Sequence, residues 1–199
     1  MSINVCNDRS MASITSLPSG VSGGSLVLLE TQTASSSSTI SFTSNIDSTY
    51  KEYQFHFTDI HPSADAQFTF QADTGTNTSY NQTITSTAFN AYHYENDGAT
   101  ELTYNANKDL AQSTSFQRIG TLNSENDDAC NGILQIFDPS NTTFVKHFMS
   151  VMNSSGVTPA TYNDFVAGYF NTTTAITRFQ FKMNTGNIDA GTIKMYGVV

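Results

Sequence analysis

Four histidines, His56, His61, His93 and His147, are the first residues to test for chemistry. Imidazole is the side chain whose ordinary titration falls near neutral pH. His56 and His147 lie in "FHF" and "VKHFM", out of phase with their aromatic neighbours, so a two-residue alternation turns them to solvent. His61 precedes Pro62 at the end of an apolar run and reads as a turn residue. His93, in "AYHYENDG", sits between two tyrosines beside an acidic stretch and is the best placed of the four for a site. Glu95, Glu101, Glu125, Asp127 and Asp128 could supply the paired carboxylates of a glycosidase, but they fall in polar segments where solvated charge accounts for them. There is no Gly-x-Ser-x-Gly, no His-Glu-x-x-His and no phosphate-cradling glycine loop. "NSENDDACNG" offers hard oxygen ligands of the kind calcium takes, around Asp127, without the spacing of an EF-hand. It reads as a solvated acidic turn. No catalytic residue, metal site or cofactor is therefore expected, and a carbohydrate-active enzyme is kept only as an alternative.

Binding is a different matter. "SYNQTITSTAFNAYHYENDG" concentrates Tyr80, Asn81, Asn90, Tyr92, His93 and Tyr94 in what reads as a loop from Tyr80 to Asp97. Tyr and Asn are the adaptable contact residues of binding loops, and they are equally ordinary at the edge of a sandwich. These six are the candidate contacts for a glycan or a protein partner. Two cysteines, Cys6 and Cys130, fit no zinc spacing and read as free thiols.

These residues must be held by a fold, and the composition says which kinds are open. The chain has 199 residues, of which 13% are charged and 12% aromatic, with no Trp. That charge content is low for a soluble domain. The Phe and Tyr supply enough burial to fold against chain entropy. A net charge of −9 with only 8 Lys and Arg would repel a phosphate backbone, so no nucleic-acid partner is expected. No apolar run reaches the roughly 20 residues that cross a bilayer, so no membrane role is expected either. "MSINVCNDRSMASITS" lacks the basic and apolar segments of a signal peptide, which makes synthesis in a cytoplasm the expectation.

Residues 1–25 are Ser-rich and carry Pro18, Gly20, Gly23 and Gly24, so they read as a flexible or docking arm. From "SLVLLETQT" onward, short alternating runs take over. "YKEYQFHFTDI" puts Tyr53, Phe55 and Phe57 on one face, "AQFTFQAD" puts Phe68 and Phe70 together, and "TRFQFKMNTG" does so with Phe179, Phe181 and Met183. "NGILQIFDPSNTTFVKHFMSVMNSSG" reads as two strands joined by an Asp138-Pro139-Ser140-Asn141 turn. Only "TPATYNDFVAGYF" hints at a helical turn. Such spacing predicts an all-β fold: residues 26–199 as one antiparallel, jelly-roll-like β-sandwich of roughly eight to ten strands. The closing "GTIKMYG" is expected to bury Ile193 and Met195 and to pair with "RFQFKM" across the turn cluster "NTGNIDAG".

The stretches "LLETQTASSSSTISFTSNIDSTYKEYQFHFTDIHPS", "FVKHF" and "RFQFKMNTGNIDAGTIKMYGV" resemble virion structural proteins of marine tailed bacteriophages, particularly those infecting cyanobacteria. The resemblance runs from about Leu26 to Val199, and the closing "GTIKMYG" is its most recognisable piece. It implies a capsid-decorating or tail-appendage protein on the virion exterior, made in the host cytoplasm. Its implied partners are other virion proteins, the major capsid protein or a tail protein, and further copies of itself in a homo-oligomer. It carries over no catalytic residue. The leading expectation is thus head decoration, with a tail-fibre module that binds host-surface glycan as the alternative.

Overall fold

A computed structural model describes residues 25–156 and 159–199. The expected arm, together with Cys6, lies outside the described residues except for Ser25. Twelve strands follow in order: β1 (Leu26–Thr33), β2 (Ile40–Phe42), β3 (Glu52–Pro62), β4 (Ala66–Thr74), β5 (Ile84–Tyr94), β6 (Thr100–Tyr104), β7 (Gln117–Leu122), β8 (Cys130–Phe137), β9 (Lys146–Ser155), β10 (Ala160–Phe170), β11 (Ile176–Met183) and β12 (Ile188–Val198). Among the described residues there is no helix. The segment with the helical hint is β10, paired along its whole length with β9 on one side and β5 on the other. Two full ladders of backbone hydrogen bonds outweigh a weak local preference.

The strands form two antiparallel sheets, one of eight in the order β1-β12-β3-β8-β9-β10-β5-β6 and one of four in the order β2-β11-β4-β7. The pairs β1 with β12, β2 with β11, β3 with β8 and β4 with β7 join the beginning of the chain to its end and work inward. That nesting is a jelly roll. Two hairpins are inserted into it. β5–β6 enters between β4 and β7, β9–β10 enters between β8 and β11, and β10 pairs with β5 to carry the larger sheet four strands past the roll.

β12 is indeed a stave, held between β1 and β3, with Ile193 and Met195 fully buried. It does not pair with β11, which belongs to the other sheet. "NTGNIDAG" has the residues of a hairpin turn, but turn chemistry does not specify which sheet the next strand joins. Gly191, in this strand, has φ +115°, and a Cβ there would lie 2.6 Å from the Asp59 carbonyl oxygen at the bulge where β12 crosses β3. Only glycine fits that approach.

The core is a layer of phenylalanines between the sheets. Phe55 and Phe57 of β3, Phe68 and Phe70 of β4, and Phe179 and Phe181 of β11 all point inward and are buried. Phe181 lies at their centre, 5.1 Å from the Phe55 ring and 5.3 Å from Phe57, with Phe68 at 5.9 Å. Alternate residues turn outward. His56 does so, its ring packing against Tyr196 at a tilt of 50° with centroids 4.7 Å apart. Partial burial pushes His56 below its ordinary pKa of 6.5, and Lys194 adds to the effect. The folded state therefore binds fewer protons than the unfolded chain, and this contribution to stability is lost as pH falls from 6.5 through the lowered pKa. On acidification through that window the melting midpoint of wild type should fall relative to that of His56→Gln. A difference independent of pH would mean that His56 does not titrate against folding.

Candidate functional site

The six candidate contacts do not form one site. The stretch expected to be a loop is a loop only to residue 83, after which β5 begins. Alternation along β5 then divides its members between two faces of the sheet. Tyr80 is buried in the preceding loop at φ +45°, its backbone N–H donating to Asp73 Oδ2 at 2.8 Å, while Asn81 beside it is exposed. Asn90 faces inward and is buried, accepting a hydrogen bond from Asn105 Nδ2. Tyr92 and Tyr94 share that inward face, and His93 points out on the opposite side, 3.0 Å from Asp97 Oδ1.

What sequence reasoning missed is that Tyr92 and Tyr94 are joined by Tyr162 from β10. Register pairs Tyr162 with Tyr92, and the Tyr92 ring lies 5.3 Å from Tyr94 and 5.6 Å from Tyr162. The Tyr92 hydroxyl donates to Glu101 Oε2 at 2.9 Å, which holds that phenol above its ordinary range. The three rings and the carboxylate make a half-exposed aromatic shelf at the far edge of the larger sheet. No local signal ties Tyr162 to Tyr92, because they are brought together by pairing between two separately inserted hairpins.

Beneath the extension lies a buried ion pair. Lys108 Nζ is 2.5 Å from Asp164 Oδ2, with side chains 4% and 1% exposed. Burial pushes the Lys108 ammonium down and the Asp164 carboxyl up, and each charge pulls the other back. Gln117 Oε1 of β7 and Ser150 Oγ and Ser154 Oγ of β9 are buried without a hydrogen-bond partner among the described residues. The pair holds the segment after β6, which crosses from the larger sheet to β7 in the smaller one, against β10. Asp164→Ala should cost about 3 kcal/mol by stranding a buried ammonium. In urea melts Lys108→Met with Asp164→Leu should recover most of that loss. Equal losses in the single and double variants would assign the cost to packing instead of charge.

The carboxylates are dispersed. Glu95, Asp97 and Asp127 line a hollow of about 620 Å³ with Asp59 and His93, whereas Glu101 belongs to the tyrosine shelf. Asp128 closes a turn by donating its N–H to the Glu125 carbonyl. Among the described residues no group of three or more His, Cys, Asp or Glu is placed to hold a metal ion. Cys130 is a buried thiol whose pKa burial pushes far up, so its nucleophilic thiolate is suppressed.

The outward face of the extension is the most unusual surface. Register places Ile133 of β8 beside Val151 of β9, then Phe165 of β10, Phe89 of β5 and Tyr104 of β6, in one row across five strands. Ile133, Val151, Phe89 and Tyr104 are 38%, 44%, 43% and 57% exposed. The Phe89 and Phe165 rings stack 4.8 Å apart and within 9° of parallel. Met149 and Leu102 flank the row and are also exposed. None of the outward side chains of β8, β9, β10, β5 and β6 is Asp, Glu, Lys or Arg. Apolar residues in contiguous rows, unlike scattered ones, mark surfaces that meet something.

Comparison of the chain with protein-family models, with curated proteins and with solved structures finds no match.

Proposed function

We propose that this chain is a structural protein of a bacteriophage virion exterior, a head decoration protein that works through protein–protein assembly. The observation that carries this reading is the uncharged apolar face of the sheet extension. A surface of that kind is costly to leave in water and is suited to permanent contact with a neighbour. The strand sequences that resemble marine phage virion proteins support it, as does a jelly roll whose inserted hairpins serve to enlarge one sheet. Its partners on this account are the major capsid protein and further copies of itself, and residues 1–25 act as the docking arm. Mass spectrometry of purified virions with copy number per particle tests it. Copy numbers matching the repeats of the head lattice are expected. A handful of copies moves the protein to the tail, and absence from particles overturns the reading.

A second reading is favoured by the tyrosine shelf. Tyr92, Tyr94 and Tyr162 offer ring faces for a sugar to stack on, and Glu101 offers a hydrogen-bond acceptor for its hydroxyls. The chain would then be a tail-fibre module that recognises host-surface glycan. Binding of recombinant protein to host cells, abolished by Tyr92→Ala, is the expected result. Failure to bind cells or to compete with phage adsorption discards it.

A further inference from the structure

We infer that the outward face of β8, β9, β10, β5 and β6 is covered by the same face of a second copy of this chain, related by a two-fold axis. The inference rests on the assembly reading and names the partner of its apolar face.

Charge is the first argument for a copy. Each molecule carries a formal charge of −9, so two of them repel wherever their acidic residues meet. The roll half of the same sheet face carries Glu52 and Lys194, yet no outward strand residue of the extension half is Asp, Glu, Lys or Arg. At one end His93, Asn131 and Asn153 border the hollow lined by Asp59, Glu95, Asp97 and Asp127, but the apolar row itself offers no carboxylate to a basic partner. It is the part of the larger sheet where two like-charged copies approach at least cost.

Self-complementarity is the second. A two-fold contact sets one patch against itself, so the patch must contain both halves of each interaction. Beside the apolar row runs a second row, Asn131, Asn153 and Asn163, on neighbouring strands. Asn153 spends its Nδ2 on Thr161 Oγ1 and the Tyr162 carbonyl, and Asn131 Oδ1 accepts from the Asp59 N–H, so this row is committed within the chain and borders the patch. On the other side of the row lies a hollow of about 480 Å³ whose floor is set by the small residues Thr85, Thr87, Ala167 and Gly168. The stacked Phe89 and Phe165 stand next to it, two residues along the same strands. A two-fold axis between ridge and hollow lets each copy seat its aromatic pair in the other.

Size is the third. Five strands about 4.8 Å apart and some eight residue steps of about 3.3 Å give a plan area of roughly 600 Å². Corrugation by side chains raises the accessible area toward the roughly 800 Å² per partner of a standard stable interface.

Sedimentation velocity and light scattering on the full recombinant chain, at tens of micromolar, test the inference. Wild type is expected at twice the chain mass. Val151→Asp puts two like charges into the contact without touching the core, and should raise the dimer dissociation constant by roughly 100-fold or more while leaving the melting transition cooperative. Ser41→Asp, on β2 of the other sheet, should remain dimeric. A monomeric wild type, or a Val151→Asp protein that stays dimeric, overturns the inference. Incorporation of Val151→Asp into virions separates the two claims. A chain that is monomeric alone but lost from particles when Val151 is charged overturns the second copy and leaves assembly standing, with another virion protein on this face. A dimer that is absent from particles overturns assembly and leaves the dimer.

Discussion

Removal of residues 192–199 is expected to abolish cooperative folding. The deletion takes Ile193 and Met195 from the core and leaves β1 without its only partner strand among the described residues. It also exposes the edge of β3, which carries buried Tyr53, Phe55 and Phe57 along its inner face. The apolar area lost contributes about 25 cal/mol per Å². A newly opened central edge then offers unpaired N–H and C=O groups to other chains. The truncated protein should aggregate, or show no sigmoidal thermal transition by circular dichroism. A soluble truncation with an unchanged melting midpoint would mean that β12 closes another subunit's sheet and not its own.

Phe181→Ala is expected to cost about 4 kcal/mol, the range for emptying a large aromatic site in a close-packed core. Phe181 is fully buried and lies within 6.4 Å, centroid to centroid, of Phe42, Phe55, Phe57, Phe68 and Phe70. Those rings come from both sheets, so collapse around the cavity would require the sheets to shift together. Urea melts should show a lower midpoint at constant m-value. A loss below about a third of the expected figure would mean that the site relaxes freely or that β11 is out of register by one residue. A one-residue slip would exchange inner and outer faces along the whole strand.

The phenylalanine layer was legible because alternation in "YKEYQFHF", "AQFTFQ" and "TRFQFKM" is regular and long-range pairing does not change it. The larger errors come from pairing. "TPATYNDFVAGYF" mixes Ala, Asn, Asp and Gly, which are poor strand formers, and only its central place between β9 and β5 makes it a strand. "NTGNIDAG" looks like a hairpin turn and is a crossover between sheets. The segment from Tyr80 to Asp97 reads as a loop because its many Asn and Thr hide the alternation of Ile84, Ala88 and Asn90, which are buried on one face. For the candidate contacts this mattered most. Composition places Tyr92 and Tyr94 in one Tyr- and Asn-rich stretch, but the partner that completes their cluster, Tyr162, lies on a hairpin inserted elsewhere in the chain. The apolar row has the same origin. Ile133, Val151, Phe165, Phe89 and Tyr104 each look like an isolated outward residue until the strand order aligns them.

The claim that this chain decorates a phage head is tested most directly by a cryo-EM map of the virion. The account predicts density for the twelve-stranded sandwich at repeating positions on the outer surface of the head lattice, with the face of β9, β10, β5 and β6 turned into a contact. A map in which that density is absent from the head, or in which that face stands free in solvent, would contradict it.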